Sequence, residues 1–229
     1  MKTVVVLTGA GISAESGLQT FRDSGGLWAG YDVMEVASPE GWKRNPRLVL
    51  DFYNQRRREV LAALPNAAHT GLAALQQHLE VRIVTQNIDD LHERAGSSLV
   101  LHLHGEILKR RSERNSQLVC PATGDMIWGE TAPDGGAWRP DVVWFGEEVP
   151  RIEQAAEWTL ECDAFAVIGT SLQVYPAAGL LRLLAPGVPL YVLDPRIPAL
   201  EGLRPRLALE LPAVQGIERL SECLLKDLL

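Results

Sequence analysis

The sequence predicts an α/β fold, with helices on both faces of a parallel sheet and a smaller module formed by two insertions. Two observations predict it: continuous apolar runs alternate with helical patterns, and two long segments interrupt that alternation. Runs without polar alternation are typical of strands buried on both faces, and intervening helices favour parallel pairing. The five apolar runs are residues 4–7, 81–85, 99–103, 164–170 and 189–194.

Helical patterns separate the apolar runs, and two segments lack strand patterns. The helical patterns cover residues 46–64, 67–79, 151–161 and 176–185. Residues 18–65 contain no convincing strand, and residues 106–140 are polar and rich in turn-forming residues. We therefore expect one domain, 1–229, with a large Rossmann-like part (about 1–30, 66–105 and 141–229) and a small module (about 31–65 and 106–140).

The composition argues against several classes of protein. The 229 residues carry a formal net charge of -7, which attracts no phosphate backbone, so we expect no direct nucleic-acid binding. No apolar stretch approaches the roughly 18 residues that span a bilayer, and residues 1–9 are predicted to form a core strand rather than a secretory leader. Three widely separated cysteines fit a reducing compartment, so we predict a cytoplasmic protein with no membrane partner.

A glycine-rich segment, GAGISA at residues 9–14, follows the first predicted strand. In dinucleotide-binding folds, such glycines make a tight turn and let a pyrophosphate approach the backbone. A strand, turn and helix without any ligand explains this segment equally well by itself. The usual ribose-binding acid should end a second strand about 20 residues later. Asp32 and Glu35 lie near that distance, yet no predicted strand leads into them.

Polar residues also follow other predicted strands, at what should be the same edge of the sheet. Residues 85–90 read TQNIDD and place amides and carboxylates beyond a strand's carboxyl end, where α/β enzymes bind ligands. Helix capping is the alternative for one carboxylate, since Asp89 or Asp90 could cap a helix over 91–95 that Gly96 ends. Two further strands end in groups suited to phosphate or ribose oxygens: Gly169, Thr170 and Ser171, and Asp194.

Two histidines share one face of the predicted strand 99–103 and its end. Strand periodicity places three leucines on the opposite face from His102 and His104. A metal site is one interpretation, but no further cluster of histidine or cysteine accompanies the pair, and a structural histidine is the simpler interpretation. His104 ends the strand and precedes a glycine, a position that favours a general base facing a bound ligand.

An arginine interrupts the apolar face of the helical pattern 46–64, which Asn45 and Pro46 are expected to begin. In one interpretation, the stem of Arg56 packs on this face while its head pairs with a protein carboxylate. In the other, Arg56 and Tyr53, three residues apart on one face, receive the carboxylate of an acidic ligand through a bidentate pair. The apolar arc around Arg56 consists of Leu48, Val49, Phe52, Tyr53, Val60 and Leu64.

Five segments together resemble the sirtuin family of NAD-dependent protein lysine deacylases, in order and across nearly the whole chain. They read GAGISAESGLQTFR, TQNIDDLHERAG, HLHGE, VVWFGE and GTSLQVYPAAGL. Tyr53 and Arg56 match the Tyr-x-x-Arg signature of the sirtuin subclass that prefers malonyl, succinyl and glutaryl lysine over acetyl lysine. The resemblance implies a single catalytic domain that uses NAD and acts on proteins or peptides carrying acylated lysine.

The resemblance also implies roles for the matching positions. His104 matches the catalytic base, and Gln86, Asn87 and Asp89 match catalytic residues on the nicotinamide side. Family members commonly have asparagine where this chain has Asp194. The implied cofactor-binding residues are Gly9, Ala10, Gly11, Ile12, Ser13, Phe21, Arg22, Gln86, Asn87, Ile88, Asp89, Gly169, Thr170, Ser171, Asp194 and Ala213.

The implied substrate contacts come from a helix and two loops. The loops at 143–147 and 172–174 resemble those that clamp the peptide as an added strand. The implied substrate-binding residues are Tyr53, Arg56, Val143, Trp144, Phe145, Gly146, Glu147 and Val174.

The implied reaction moves the acyl group from lysine to ADP-ribose. The acyl oxygen attacks the anomeric carbon of the nicotinamide ribose and expels nicotinamide, and His104 then activates a ribose hydroxyl that attacks the acyl carbon. Water completes release of free lysine and O-acyl-ADP-ribose. ADP-ribosyl transfer to protein or NAD hydrolysis is the alternative function. A binding module without turnover is less favoured because His104 and the amide-rich segment are present.

The chain departs from the family between residues 106 and 140. Sirtuins usually carry two C-x-x-C pairs there that bind a structural zinc ion, whereas this interval contains only Cys120. We therefore predict that zinc is absent and that the chain has no metal site. A metal-free core is expected instead from Val119, Met126, Ile127, Trp128 and Trp138, with turns at 122–125 and 134–136.

Overall fold

The computed structural model describes residues 1–19, 27, 28, 30–200 and 202–229 of the chain. Their strands form one six-stranded sheet and two smaller ones. The strands are β1 (Thr3–Thr8), β2 (Leu27–Trp28), β3 (Tyr31–Asp32), β4 (Glu80–Thr85), β5 (Val100–His102), β6 (Gly105–Ser112), β7 (Val119–Pro121), β8 (Trp138–Val142), β9 (Ala164–Ile168), β10 (Leu190–Leu193) and β11 (Leu207–Leu209).

The six-stranded sheet confirms the predicted α/β fold. Its order is β11-β10-β9-β1-β4-β5, and every neighbouring pair is parallel. All five predicted strands lie in this sheet. The chain adds β4 and β5 on one side of β1 and then β9, β10 and β11 on the other, so the order reverses between β1 and β9. Loops diverge at such a switch point and leave a crevice beyond the carboxyl ends of the strands.

Helices cover both faces of this sheet. Val4 and Val6 of β1 belong to one core cluster, which α4 and α7 cover, while Val5 and Leu7 belong to another, which α6 covers. No helix among the described residues is long and apolar enough to cross a membrane. The helices are α1 (Val33–Val36), α2 (Pro39–Arg44), α3 (Pro46–Ala62), α4 (Ala67–Leu75), α5 (Leu91–Arg94), α6 (Ile152–Glu161) and α7 (Ala213–Leu228).

Several helix predictions need correction. The predicted helix at 176–185 is a 3₁₀ segment, Ala177–Leu183. The helix α3 ends at Ala62 rather than near Leu64, whose side chain is 73% exposed and lies off the apolar face. The next residue is Pro65, which disfavours helical backbone at the residue before it, and Ala63 is already extended. Similarly, α4 ends at Leu75 because turns with i to i−3 bonds follow it.

The small module is more regular than the sequence predicts. Residues 106–140 contribute to a three-stranded antiparallel sheet in the order β7-β6-β8, and residues 18–65 contain the short hairpin of β2 and β3. The strand β6 reads GEILKRRS. It shows no alternation of apolar and polar residues, because its charged side chains are only partly buried and form ion pairs. The pairing of β6 is therefore accompanied by ion pairs, and a search for apolar patterns does not detect them.

The module has its own hydrophobic core, whose membership differs from the prediction. Met126 and Trp138 are buried with residues from α1 to α3, but Val119, Ile127 and Trp128 are exposed by more than a third. Val119 lies on β7, an edge strand, which explains its exposure. The turn at 134–136 forms, with Gly135 at φ +76°.

A buried polar network joins α3 to β6 and to the loop after β7 inside the small module. Arg57 is fully buried and donates from Nε to the carbonyl oxygen of Ile107 at 2.9 Å, from Nη1 to Oδ1 of Asn54 at 2.7 Å and from Nη2 to Sδ of Met126. Asn54 also exchanges two hydrogen bonds with the backbone of Met126, at 2.8 and 2.9 Å. Two side chains of α3 thus connect β6 to the loop that follows β7.

Candidate functional site

A cavity of about 610 Å3 opens beyond the carboxyl ends of the main sheet, between the sheet and the small module. It brings together residues that the sequence places on five strand ends, one helix and two loops. The predicted residues that line it are Gly9, Ala10, Gly11, Ser13, Tyr53, Arg56, Gln86, Asn87, Ile88, Asp89, His104, Val143, Trp144, Phe145, Gly146, Glu147, Gly169, Thr170, Ser171, Val174 and Asp194.

Two predicted cofactor residues are placed differently, and the structure does not describe two others. The side chains of Ile12 and Ala213 are buried in the core of the main sheet and do not line the cavity. Phe21 and Arg22 lie outside the described residues. The cavity also includes Gln19 and Glu59, which sequence reasoning did not select. Glu59 lies three residues after Arg56, so helical spacing was the available signal for it.

The glycine loop after β1 packs directly against the loop after β9. The amide of Gly11 donates to the carbonyl oxygen of Gly169 at 2.8 Å. A Cβ on Gly11 would lie 2.7 Å from the Cα of Gly169, and a Cβ on Gly169, at φ +62°, would lie 2.3 Å from the amide of Ile12. Both positions therefore require glycine, and the two loops form one continuous backbone wall of the cavity.

A hydrogen-bonded cluster lies beside this wall, at the end of β4. Ser13 donates from Oγ to Oδ2 of Asp89 and accepts from Nδ2 of Asn87, both at 3.1 Å. Oδ1 of Asp89 accepts from the amide of Leu91, so Asp89, not Asp90, makes the side-chain cap predicted for α5. Burial raises the pKa of Asp89. These bonds fix an amide and a carboxyl group at the cavity.

Two buried histidines that the sequence analysis did not single out lie behind this cluster. His69 contacts Oγ of Ser13 through Nε2 at 3.4 Å, and its ring meets that of His92 with centroids 4.9 Å apart. Burial, assisted by the charge of Arg94, lowers the pKa of His69 to about 4, and burial lowers the pKa of His92 well below its usual value. Both rings are therefore neutral near pH 7, which avoids an uncompensated charge behind Ser13.

His104 lies between β5 and β6, and the backbone fixes one of its ring nitrogens. Its Nδ1 is 2.9 Å from the carbonyl oxygen of Gln86, which can only accept, so Nδ1 carries the proton and Nε2 is the basic nitrogen. Burial lowers the pKa of His104, and the bond to Gln86 offsets this only in part. The ring is therefore neutral near pH 7, as a general base must be.

His102 has a structural environment instead. Its Nδ1 is 2.9 Å from the carbonyl oxygen of Asn87, and its Nε2 is 2.8 Å from Oε1 of Glu93. Burial opposes protonation of His102, but the bond to Glu93 outweighs it and raises the pKa of the ring. Burial also opposes ionisation of Glu93, yet its bond to His102 lowers the pKa of the carboxyl group. This ion pair holds the backbone of the 86–89 segment against β5.

We expect the His102–Glu93 pair to make stability depend on pH. Glu93 has a lowered pKa and His102 a raised one, so the pair stabilises the fold fully between their ordinary values, pH 4.5 and 6.5. Its contribution decreases as pH rises through the raised pKa of His102, and as pH falls through the lowered pKa of Glu93. Thermal unfolding across this range should show the largest difference in Tm between wild type and Glu93→Gln inside that window. A difference that is constant with pH would contradict the assignment.

The loop 143–147 is held by an ion pair that also positions Tyr53. Both carboxylate oxygens of Glu147 accept from Arg139, at 2.6 and 3.0 Å, and the guanidinium carbon of Arg139 lies 3.3 Å from the ring centroid of Trp144. The buried Trp144 donates from Nε1 to the hydroxyl of Tyr53 at 3.0 Å. Burial raises the pKa of Tyr53, so the hydroxyl keeps a proton that it can donate to a ligand.

Arg56 lies on α3 and lines the cavity. Nη2 of Arg56 pairs with Oε1 of Glu59 at 2.5 Å, and Nη1 has a long contact of 3.5 Å with Gln19. The guanidinium carbon is 5.7 Å from the ring centroid of Phe52. The pairing with Glu59 corresponds to the first interpretation of Arg56, whereas its place in the cavity is what the second requires.

A zinc site of the family type does not fit the residues of this chain. Four thiolates are needed, and residues 106–140 contain only Cys120, while Cys162 and Cys223 lie on other elements. Among the described residues, no three histidine, cysteine, aspartate or glutamate side chains are grouped to hold a metal ion.

Comparisons with known proteins agree with this architecture. A family model described as the Sir2 family matches residues 9–176. An NAD-dependent protein deacylase of Helicobacter pylori is 56% identical over 196 residues, which are 86% of this chain and 84% of that protein. One of Bacteroides thetaiotaomicron is 47% identical over 231 residues, covering 98% of this chain and 99% of that protein.

Solved structures of bound complexes have the same fold. A Sir2 homologue in complex with NAD has a TM-score of 0.88 at 34% identity, with 100% of this chain and 91% of that chain covered. A Sir2 structure with a deacetylated peptide and 3'-O-acetyl ADP ribose has a TM-score of 0.81 at 29% identity, covering 96% of this chain and 92% of that chain.

Proposed function

Because the chain belongs to the Sir2 family, we propose that it is an NAD-dependent protein lysine deacylase that releases nicotinamide, O-acyl-ADP-ribose and free lysine. The observation that carries the proposal is His104, whose Nε2 is the basic nitrogen of a neutral imidazole in the same cavity as the glycine loops. NAD, when bound, supplies an electrophilic anomeric carbon and the ADP-ribose acceptor.

The residues of this chain have separate tasks in that reaction. The glycines Gly9, Gly11 and Gly169 let the two loops pack against each other, and we expect the phosphate groups of NAD to bind along the backbone of this wall. Asn87 and Asp89, fixed by Ser13, present an amide and a carboxyl group on the nicotinamide side. His104 takes a proton from a hydroxyl through Nε2, and Gln86 keeps the ring in the required tautomer.

We propose further that the enzyme prefers succinyl, malonyl or glutaryl lysine over acetyl lysine. Tyr53 and Arg56 support this preference because both line the cavity and both carry donors suited to a carboxylate. Trp144 occupies the acceptor side of the Tyr53 hydroxyl, so the phenolic proton is free to bond to the acyl group. A neutral acetyl group cannot use either donor.

Replacing Arg56 with methionine should remove this preference. We expect the ratio of kcat/KM for succinyl-lysine and acetyl-lysine peptides to fall by about 10-fold to 100-fold, since a charge-assisted pair is worth roughly 1.5 to 3 kcal/mol. The measurement is steady-state kinetics of both peptides with NAD. Arg58→Met is the matched control, because Arg58 lies on the same helix but pairs with Asp125 at the surface. An unchanged ratio in Arg56→Met would mean that the pocket is assigned wrongly.

The alternative function is ADP-ribosyl transfer to protein or NAD hydrolysis, motivated by the altered zinc module. Mass spectrometry of the products separates the two functions. O-acyl-ADP-ribose together with deacylated peptide supports the deacylase, whereas ADP-ribosylated protein or free ADP-ribose without O-acyl-ADP-ribose would support the alternative.

We also propose that the enzyme is cytoplasmic and contains no zinc. Its three free thiols support the first point, and the lack of a cysteine set supports the second.

A further inference from the structure

We propose that Glu59 is a specificity-determining residue that weakens the preference of the acyl pocket for acidic acyl groups by pairing with Arg56. This inference rests on the proposed deacylase function and concerns the same pocket. In this proposal Arg56 is required for the preference for acidic acyl groups, and Glu59 determines how strong that preference is.

The geometry places a protein carboxylate where a ligand carboxylate is expected to bind. Glu59 follows Arg56 by nearly one turn of α3, so the two side chains share one face of the helix. Oε1 of Glu59 accepts from Nη2 of Arg56 at 2.5 Å, and both residues line the cavity. The side chain of Arg56 is 8% exposed and that of Glu59 is 35% exposed. The buried member of the pair is therefore the cation, and the carboxylate reaches it from the open side.

The charges of Arg56 and Glu59 determine the electrostatic force on an incoming acyl group. Arg56 and Glu59 together carry no net charge, so a ligand carboxylate is attracted by one and repelled by the other at similar range. A neutral acyl group is attracted by Arg56 and repelled by Glu59 much more weakly. Removing the charge of Glu59 should therefore improve acidic substrates selectively.

Arg56 retains donors that a ligand carboxylate can use. Within the part of the chain that the structure describes, the buried Nε of Arg56 has no hydrogen-bond partner. Among the described residues, Nη1 has one hydrogen-bond contact, the 3.5 Å contact with Gln19. Glu59 uses one nitrogen of Arg56 and does not complete the hydrogen bonding of the guanidinium group. Glu59 therefore competes with a ligand carboxylate for Arg56 rather than anchoring the arginine in one position.

The test is the kinetics of Glu59→Gln with succinyl-lysine and acetyl-lysine peptides at saturating NAD. Glutamine keeps the size and one acceptor oxygen but removes the charge. We expect the succinyl-to-acetyl ratio of kcat/KM to rise about threefold to tenfold, mainly through a lower KM for the succinyl peptide. Asp51→Asn is the matched control, because Asp51 is an exposed acid of α3 that is not among the described residues lining the cavity.

Arg56→Met, measured in parallel, separates failure of this inference from failure of the proposed function. If Arg56→Met abolishes the acidic preference while Glu59→Gln leaves the ratio at the wild-type value or lowers it, then Glu59 is an anchor or a bystander and the inference is overturned. If Arg56→Met leaves the ratio unchanged, the proposed acyl preference fails as well. A ratio that rises in Glu59→Gln but not in Asp51→Asn supports the inference.

Discussion

Replacing His104 with alanine is expected to lower kcat for deacylation by about 100-fold to 10,000-fold while NAD binding is retained. The loss is large because Nε2 of His104 is the basic nitrogen that the bond to Gln86 leaves available. Product formation by mass spectrometry and NAD binding by calorimetry measure the two quantities separately. His78→Ala is the control, since His78 is exposed and is not among the described residues that line the cavity.

The pH dependence of wild type provides a second measurement of the same role. Burial lowers the pKa of His104, so the ring loses its proton below the ordinary value of 6.5. We expect deacylation to be independent of pH just above 6.5 and to decrease only at lower pH, where the base becomes protonated. A decrease that begins well above pH 6.5, or an alanine variant with wild-type kcat, would show that another group is the base.

Replacing Arg57 with methionine is expected to lower the free energy of unfolding by about 3 kcal/mol. Methionine has similar length but no donors, so the carbonyl oxygen of Ile107 and Oδ1 of Asn54 lose charge-assisted hydrogen bonds in a buried environment. Burial lowers the pKa of Arg57 to about 10, so the group is still a cation at pH 7. Chemical denaturation at neutral pH measures the change.

A matched variant and a metal analysis accompany this measurement. Arg58→Met should cost less than about 0.5 kcal/mol, because Arg58 is mostly exposed. Elemental analysis of the purified protein should detect no zinc, and a chelator should leave Tm unchanged. Wild-type stability in Arg57→Met would contradict the role of the network, and a Tm that falls with chelator would contradict the proposed absence of zinc.

The site depends on both local and non-local information. The glycine loop after β1 and the polar ends of β4, β9 and β10 were predictable, because parallel strands place their carboxyl ends at one edge of a sheet. The role of Glu59 was not predictable in the same way. Helical spacing puts it near Arg56, but the choice of Glu59 as partner over a ligand or another acid depends on which side of α3 faces the cavity.

The strands of the small module were also not predictable from local sequence patterns. Its strands were missed because β6 carries Lys109, Arg110 and Arg111 in succession, and no apolar alternation marks it as a strand. Lys109 pairs locally with Glu106, but Arg110 and Arg111 pair with Glu130 and Glu147, which are distant in sequence. A pattern within one segment contains no information about such partners.

By itself the sequence predicted five of the six strands of the main sheet and the chemical groups that meet at their ends, because apolar runs and strand periodicity are local properties of the chain. Only the tertiary structure decided what each group contacts. It gave His104 its tautomer through Gln86, gave His102 a partner in Glu93, and buried Arg57 against the backbone of Ile107. Those choices depend on desolvation and on hydrogen bonds between residues far apart in sequence, which arise only when the chain is folded.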